Sequence, residues 1–195
     1  MFGRDPSEAA RRALEFLQQE GRTQLLELGC GQGRDTLLFA QNGFCVTAAD
    51  YSQAGIRAIG EKARIAGLTR NLTSLCLDAR QPLPFADQSF EACYSHMLYC
   101  MALTTPELER LSCEVRRVLK PGGINIFTVR HTGDPHCGAG IHRGEDMWEV
   151  GGFIVHFFSR QKVLRLAEPY ESARIAEFEE GGFPRKLFWV ALRKA

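Results

Sequence analysis

Apolar runs of strand length alternate with amphipathic helical segments along most of this chain, and that alternation restricts the fold more than any other feature. Strands are expected at residues 24–28, 44–49, 72–77, 90–95 and 124–129, with helices at 35–41, 53–66 and 106–119 between them and another at 159–167. Parallel neighbours need a right-handed crossover, so repeated strand and helix units imply an α/β fold: a mostly parallel sheet with helices on both faces. Two last strands, 172–180 and 187–192, are separated only by a turn around Gly181-Gly182-Phe183-Pro184, and they read as a hairpin adding an antiparallel strand at one edge.

Local signals punctuate this pattern. Asp5 is expected to cap the first helix with Pro6 at its first position, Glu8 closing a capping box and Gly21 ending it. Thr104 or Thr105 caps the helix at 106–119, and Pro121-Gly122-Gly123 is expected to break it before the next strand. The chain of 195 residues can bury one substantial core but is short for a nucleotide-binding domain plus a separate catalytic one, so 1–195 reads as a single domain.

Chemistry enters at Leu25-Leu26-Glu27-Leu28-Gly29-Cys30-Gly31-Gln32-Gly33, where three alternate glycines lie between an apolar strand and a helix. Glycine lets a backbone turn sharply and approach a ligand closely, and an open α/β sheet binds nucleotides at the carboxyl ends of its strands. The spacing alone is also compatible with a structural turn. Asp50 ends the second strand about 20 residues after the first glycine, where a carboxylate can accept hydrogen bonds from both ribose hydroxyls or cap the helix starting near Ser52. Asp78 ends the third strand, where it can accept from an adenine amino group or cap a loop.

Taken together, Leu26-Glu27-Leu28-Gly29-Cys30-Gly31-Gln32-Gly33, Ala49-Asp50, Leu77-Asp78-Ala79, Leu83-Pro84-Phe85 to Ser89-Phe90, and Val118-Leu119-Lys120-Pro121-Gly122-Gly123 resemble class I S-adenosylmethionine (AdoMet)-dependent methyltransferases over roughly residues 22–130. The resemblance implies a three-layer αβα Rossmann-like sheet of seven strands whose last strand is antiparallel, with AdoMet as methyl donor. It implies that Gly29, Gly31 and Gly33 pass beside the methionine part of the cofactor and that Glu27 lies near its amino group. Asp50 would hold the ribose, Tyr51 would pack on the adenine, and Asp78 and Ala79 would border the adenine edge. Ser95 and His96 would lie near the methionine carboxylate and the methyl group. Gly31-Gln32-Gly33-Arg34, Phe178-Glu179-Glu180-Gly181 and Leu192-Arg193-Lys194 are more loosely similar to the tellurite-resistance and thiopurine methyltransferase branch, which implies a soft chalcogen or other small acceptor.

Methyl transfer from a sulfonium is an in-line displacement, so a site must align the reacting atoms, exclude water and, for a hydroxyl acceptor, remove a proton. His96, at the strand end facing the methyl group in this architecture, is the first candidate base, with His131 as the second. Residues 131–157 form the expected substrate loop, far longer than an ordinary connection and holding His131, His136, His142 and His156. Trp148 and Phe153 can supply an apolar wall there. His131, His136, Cys137 and His142 match no standard metal-ligand spacing, so no metal is assigned.

Lys plus Arg total 24 against 23 for Asp plus Glu, a balance that offers no net field to nucleic acid or an anionic membrane. The expected partner is a small-molecule acceptor. No signal-peptide run or bilayer-length apolar segment is present, so the expected location is cytoplasmic. The seven cysteines lack any C-x-x-C pair and read mostly as reduced core thiols. A nicotinamide-dependent oxidoreductase and an AdoMet-binding protein without turnover are the alternative readings; the third glycine falls short of dinucleotide spacing.

Overall fold

The computed structural model describes residues 5–181 and 185–195. Its main sheet is built from β1 (Gln24–Leu28), β2 (Cys45–Asp50), β3 (Leu72–Cys76), β4 (Phe90–His96), β5 (Leu119–Arg130), β9 (Ser172–Glu180) and β10 (Arg185–Arg193). The strand order is β3-β2-β1-β4-β5-β10-β9, with β1 to β5 parallel and β10 antiparallel to both of its neighbours. This is the seven-stranded sheet expected. The reversal of strand order lies between β1 and β4, so the carboxyl ends of these two strands frame the crevice where such sheets bind ligands.

Helices α1 (Glu8–Gln19), α2 (Arg34–Gln41) and α3 (Gln53–Ile65) cover one face, packing Leu17, Phe39 and Ile59 with Leu25, Val46 and Tyr94 of the strands. Helices α4 (Thr105–Val118) and α5 (Arg160–Ala167) cover the other, where Leu111, Val115 and Val163 meet Leu26, Cys93 and Phe127. Residues of alternate parity on β4 therefore serve different layers. Tyr94 and His96 project toward the first face, Cys93 and Ser95 toward the second.

Several local expectations change. Ser7, not Asp5, caps α1, its hydroxyl accepting from Ala10 N–H at 3.0 Å, and Glu8 is already helical. Thr104 is the cap of α4 and forms the capping box with Glu107. Pro121-Gly122-Gly123 does not precede the fifth strand but lies within it: Leu119 pairs with Phe90, Ile124 with Ala92, and the intervening residues bulge out. Gly122 supplies a φ of 69° there. Of the cysteines, Cys30, Cys93 and Cys100 are buried, while Cys45, Cys76 and Cys113 are exposed at strand ends or on an outward helix face. All but Gly181 of the expected hairpin turn lies outside the described residues.

The segment at 131–157 is more than a loop. It contains β6 (Ile141–His142), β7 (Met147–Val150) and β8 (Phe153–His156), paired antiparallel as a small meander. Gly151 and Gly152, both with positive φ, make its second turn possible. The meander rests on the β4–α4 connection through His156 N–H to the Cys100 carbonyl at 3.0 Å and Thr105 N–H to the Glu145 carboxylate at 3.0 Å. It thereby lies over the carboxyl end of the main sheet. No described helix is long and apolar enough to cross a membrane.

Candidate active site

The turn after β1 is held by its own backbone, with Gly29 and Cys30 N–H both donating to the Ala49 carbonyl at 2.8 and 3.2 Å. Its three glycines have φ of 75°, 54° and 80°, a region that favours glycine. They serve different ends. A side chain on Gly33 would stand 2.5 Å from Ile59 Cγ1, and one on Gly29 would stand 3.1 Å from Leu98 Cβ, so these two let α3 and the β4–α4 connection close in. Beside Gly31 nothing lies within 4 Å of that position, so this glycine presents bare backbone. Gly55, which sequence reasoning missed, is equally constrained: a methyl group there would approach the Gly31 carbonyl to 2.4 Å.

Asp50 braces the turn. One carboxylate oxygen accepts from Gly31 N–H and the other from Ser52 N–H, both at 2.8 Å, while Ser52 itself caps α3 by accepting from Gly55 N–H at 3.2 Å. Each Asp50 oxygen therefore keeps a lone pair for a further donor. Tyr51 beside it is 76% exposed, a large aromatic surface left uncovered. Asp78 is chelated by Arg80, whose Nε and Nη2 donate to it at 3.0 and 2.6 Å, and that guanidinium holds its carboxyl below the usual range. Ala79 is half-buried against the core.

Glu27 is the unusual group. It is only 3% exposed, and its Oε2 has no hydrogen-bond partner. Burial above all, helped by the negative charges of Asp35 and Asp50 and only partly offset by Thr36 and Arg34, pushes its carboxyl up to about 8. An enclosed acid with one oxygen left without a hydrogen-bond partner, at the carboxyl end of the strand leading into an open glycine turn, suits a cationic group.

At the end of β4 the two expected residues separate. Ser95 is fully enclosed on the α4 side, its hydroxyl unpartnered, so this structure leaves it no surface for a ligand. His96 points the other way: Nδ1 is 2.9 Å from Thr128 Oγ1 and Nε2 is 3.1 Å from Glu180 Oε2, a close approach without the alignment of a good hydrogen bond. Both ring nitrogens thus face protein groups, and neither offers a free lone pair to an acceptor. His131 accepts from Gly133 N–H through Nδ1 at 2.9 Å, with its ring against Phe188.

The other residues of the 131–157 segment have separate tasks. Asp134 accepts from Arg130 Nε at 3.0 Å and from Lys186 N–H at 3.0 Å, and His136 lies against the same guanidinium. His142 packs on Trp148. His156 is fully buried, donating from Nδ1 to the Leu103 carbonyl and accepting from Lys162 Nζ, both at 2.6 Å. Burial holds its imidazole below the ordinary range. No cluster of three or more His, Cys, Asp or Glu side chains suited to a metal occurs among the described residues. Phe153 is 71% exposed and not packed into the core.

Residues 25–123, a little over half of the chain, match the family described as methyltransferase domain. The chain belongs to this methyltransferase family. A 24-methylenesterol C-methyltransferase 2 of Oryza sativa subsp. japonica is 34% identical over 132 residues, covering 64% of this chain and 34% of that protein. A demethylmenaquinone methyltransferase of Tropheryma whipplei (strain Twist) is 31% identical over 114 residues, covering 58% of this chain and 44% of the relative. The chain thus spans less than half the length of either relative. Among solved structures, the 1,6-didemethyltoxoflavin-N1-methyltransferase of Burkholderia thailandensis superimposes with a TM-score of 0.76 at 15% identity, over 96% of this chain and 79% of that one. TehB of Haemophilus influenzae does so with 0.73 at 16%, over 95% and 62%. At such identities the likeness of the methyltransferase domain to these structures is one of fold.

Proposed function

We propose that this methyltransferase domain binds AdoMet and transfers its methyl group to a small-molecule acceptor. The observation that carries the reading is the enclosed, unpartnered Glu27 oxygen on the strand that enters a glycine turn with bare backbone at Gly31. The remaining residues fit the same cofactor: Asp50 keeps lone pairs for ribose hydroxyls, and Tyr51 exposes a ring for the adenine. Asp78 and Ala79 border the adenine edge in this reading, with Asp78 released from Arg80 or binding beside it. When bound, AdoMet supplies an activated methyl group on a sulfonium sulfur.

The chain's own residues then have definable tasks. Glu27, deprotonated, neutralises the amino group, at the cost of giving up the proton that burial favours. Gly31 admits the methionine part to the backbone, and the Asp50 brace holds Gly31 N–H and the α3 start together. On the acceptor side, the meander of β6 to β8 rests on the β4–α4 connection and presents the apolar side chains of Phe153 and Ile141. Relatives are named for a sterol, a quinone precursor and a malonyl-[acyl-carrier protein] as acceptors, which supports small-molecule acceptors as a class. The family match ends at residue 123, before this meander, so the choice among sulfur, nitrogen and oxygen nucleophiles rests with residues outside the match. Because the ring nitrogens of His96 face Thr128 and Glu180 and Nδ1 of His131 accepts from Gly133 N–H, which leaves His131 Nε2 as the ring nitrogen for a proton to be removed, an acceptor that needs only positioning, such as a thiolate or a neutral amine, makes the smaller demand on this site.

The test is transfer of labelled methyl from AdoMet to a panel of small thiols, amines and hydroxyl compounds. Transfer to a thiol or amine is expected. Tight AdoMet binding with no transfer to any of them would return the chain to the reading of a binding protein without turnover.

A further inference from the structure

The strand pair β9–β10 lies beyond β5 from β4, yet Glu180 at the end of β9 reaches His96 at the end of β4. The end of the hairpin must therefore curl over the α1 face of the sheet. The other Glu180 oxygen accepts from Glu8 N–H at 3.0 Å, in the first turn of α1. That helix start is fixed a second time by Asp35, which accepts from Ser7 N–H at 2.8 Å and Ser7 Oγ at 2.7 Å and also takes the Tyr94 hydroxyl at 3.2 Å.

The contacts continue inward from His96. Thr128 Oγ1 accepts from Met97 N–H at 3.0 Å and stands 2.9 Å from His96 Nδ1. Met97 has φ 61°, a left-handed conformation that costs a residue with a side chain and has to be held by its surroundings. Directly after it, Leu98 packs over Gly29 in the glycine turn. A carboxylate 3.1 Å from Nε2 requires the proton on that nitrogen, since a lone pair there would face negative charge. In the neutral ring Nδ1 is then the acceptor, the Thr128 O–H donates to it, and the Thr128 lone pairs remain for Met97 N–H.

We propose that Glu180 is a positioning residue for the cofactor turn, acting through His96 and Thr128 on the strained Met97–Leu98 corner that packs against Gly29. His96 is a link in this chain and not a base. Burial works against the charged form of Glu180, but the contact with His96, the N–H of Glu8 and the nearby Arg34 outweigh it and hold the carboxyl below its usual range, which keeps the link charged. The role rests on the AdoMet reading; the ring chemistry does not.

Two measurements on the full chain test it. Ring-nitrogen NMR of protein labelled with ¹⁵N-histidine should show neutral His96 protonated at Nε2 and bare at Nδ1; the opposite tautomer would overturn the proposal without any variant being made. Calorimetric titration with AdoMet should show Glu180→Ala and Thr128→Val each weakening binding by about fivefold or more, with the double variant little worse than either alone. Thr128→Ser, which keeps the hydroxyl, should recover most of the loss. Wild-type affinity in Glu180→Ala, or two losses that multiply in the double variant, would overturn the proposal while leaving the cofactor reading intact. A wild-type protein that binds no AdoMet would remove the cofactor reading and this role with it.

Discussion

Replacing Glu27 by Gln keeps the size of the buried side chain and removes its ability to ionise. In the folded protein the carboxyl is pushed up to about 8, against an ordinary value of 4.5. The folded state therefore holds a proton that the unfolded chain releases as pH rises, and stability must fall with rising pH. The contribution is fully present below 4.5 and is lost progressively until the pH has passed about 8. At about 1.4 kcal/mol per unit, the whole window is worth roughly 4 to 5 kcal/mol, of which about 3 is gone at neutral pH. The Glu27→Gln variant lacks this slope. For a chain of this size each kcal/mol moves the melting temperature by roughly 2 to 4 °C, so the variant should melt on the order of 10 °C above wild type in mildly alkaline buffer. Near pH 5 the two should melt close together. Thermal melts followed by circular dichroism across this range measure the difference directly, since other titrating groups are common to both proteins. Parallel curves for wild type and Glu27→Gln would refute the claim that burial holds the proton on an enclosed acid beneath the glycine turn. The same variant should bind AdoMet more weakly, so its gain in stability and its loss of affinity are linked.

Other consequences are simpler to state. Asp50→Ala should weaken AdoMet binding by roughly 1 to 3 kcal/mol through lost charge-assisted bonds, read by calorimetry; unchanged affinity would remove Asp50 from the ribose role. Gly55→Ala places a methyl group 2.4 Å from the Gly31 carbonyl, so it should displace the glycine turn and lower both AdoMet affinity and melting temperature. Asp134→Ala leaves the Arg130 guanidinium buried without its carboxylate, and chemical denaturation should show a loss of about 3 to 5 kcal/mol. Wild-type AdoMet affinity should rise as pH increases from about 6 toward 8, because binding an amino group requires Glu27 to give up its proton; a flat profile would contradict that coupling.

Much of this is legible in the chain because the signals are local. Strand and helix periodicity, the glycine turn and the terminal hairpin act over a few residues, and a mostly parallel sheet with an antiparallel edge follows from them, while the count of seven strands comes from the family resemblance. Asp50 can be placed at the end of β2 for the same reason. Contacts between distant segments give no such signal. Glu180 reaches His96 across 84 positions, as the residue numbers show, and nothing around either residue announces the other. Adjacency pairs Ser95 with His96 in the sequence, yet consecutive strand residues face opposite layers, so Ser95 is enclosed on one side while His96 meets Thr128 and Glu180 on the other. Gly55 looks like an ordinary helical glycine until Gly31 is placed against it. The histidine-rich segment reads as a loop because its strands are short and its alternation is interrupted by glycines. Its clustering of histidines suggests shared chemistry, whereas each ring finds a different partner.

The most direct measurement is calorimetric titration of the purified protein with AdoMet and with S-adenosylhomocysteine, using NAD as control and two buffers of different ionisation enthalpy near pH 7. Binding of both sulfur nucleotides but not NAD, with net release of protons when AdoMet binds, is the predicted result. Binding of NAD alone, or of none of the three, would contradict the assignment of this crevice to AdoMet.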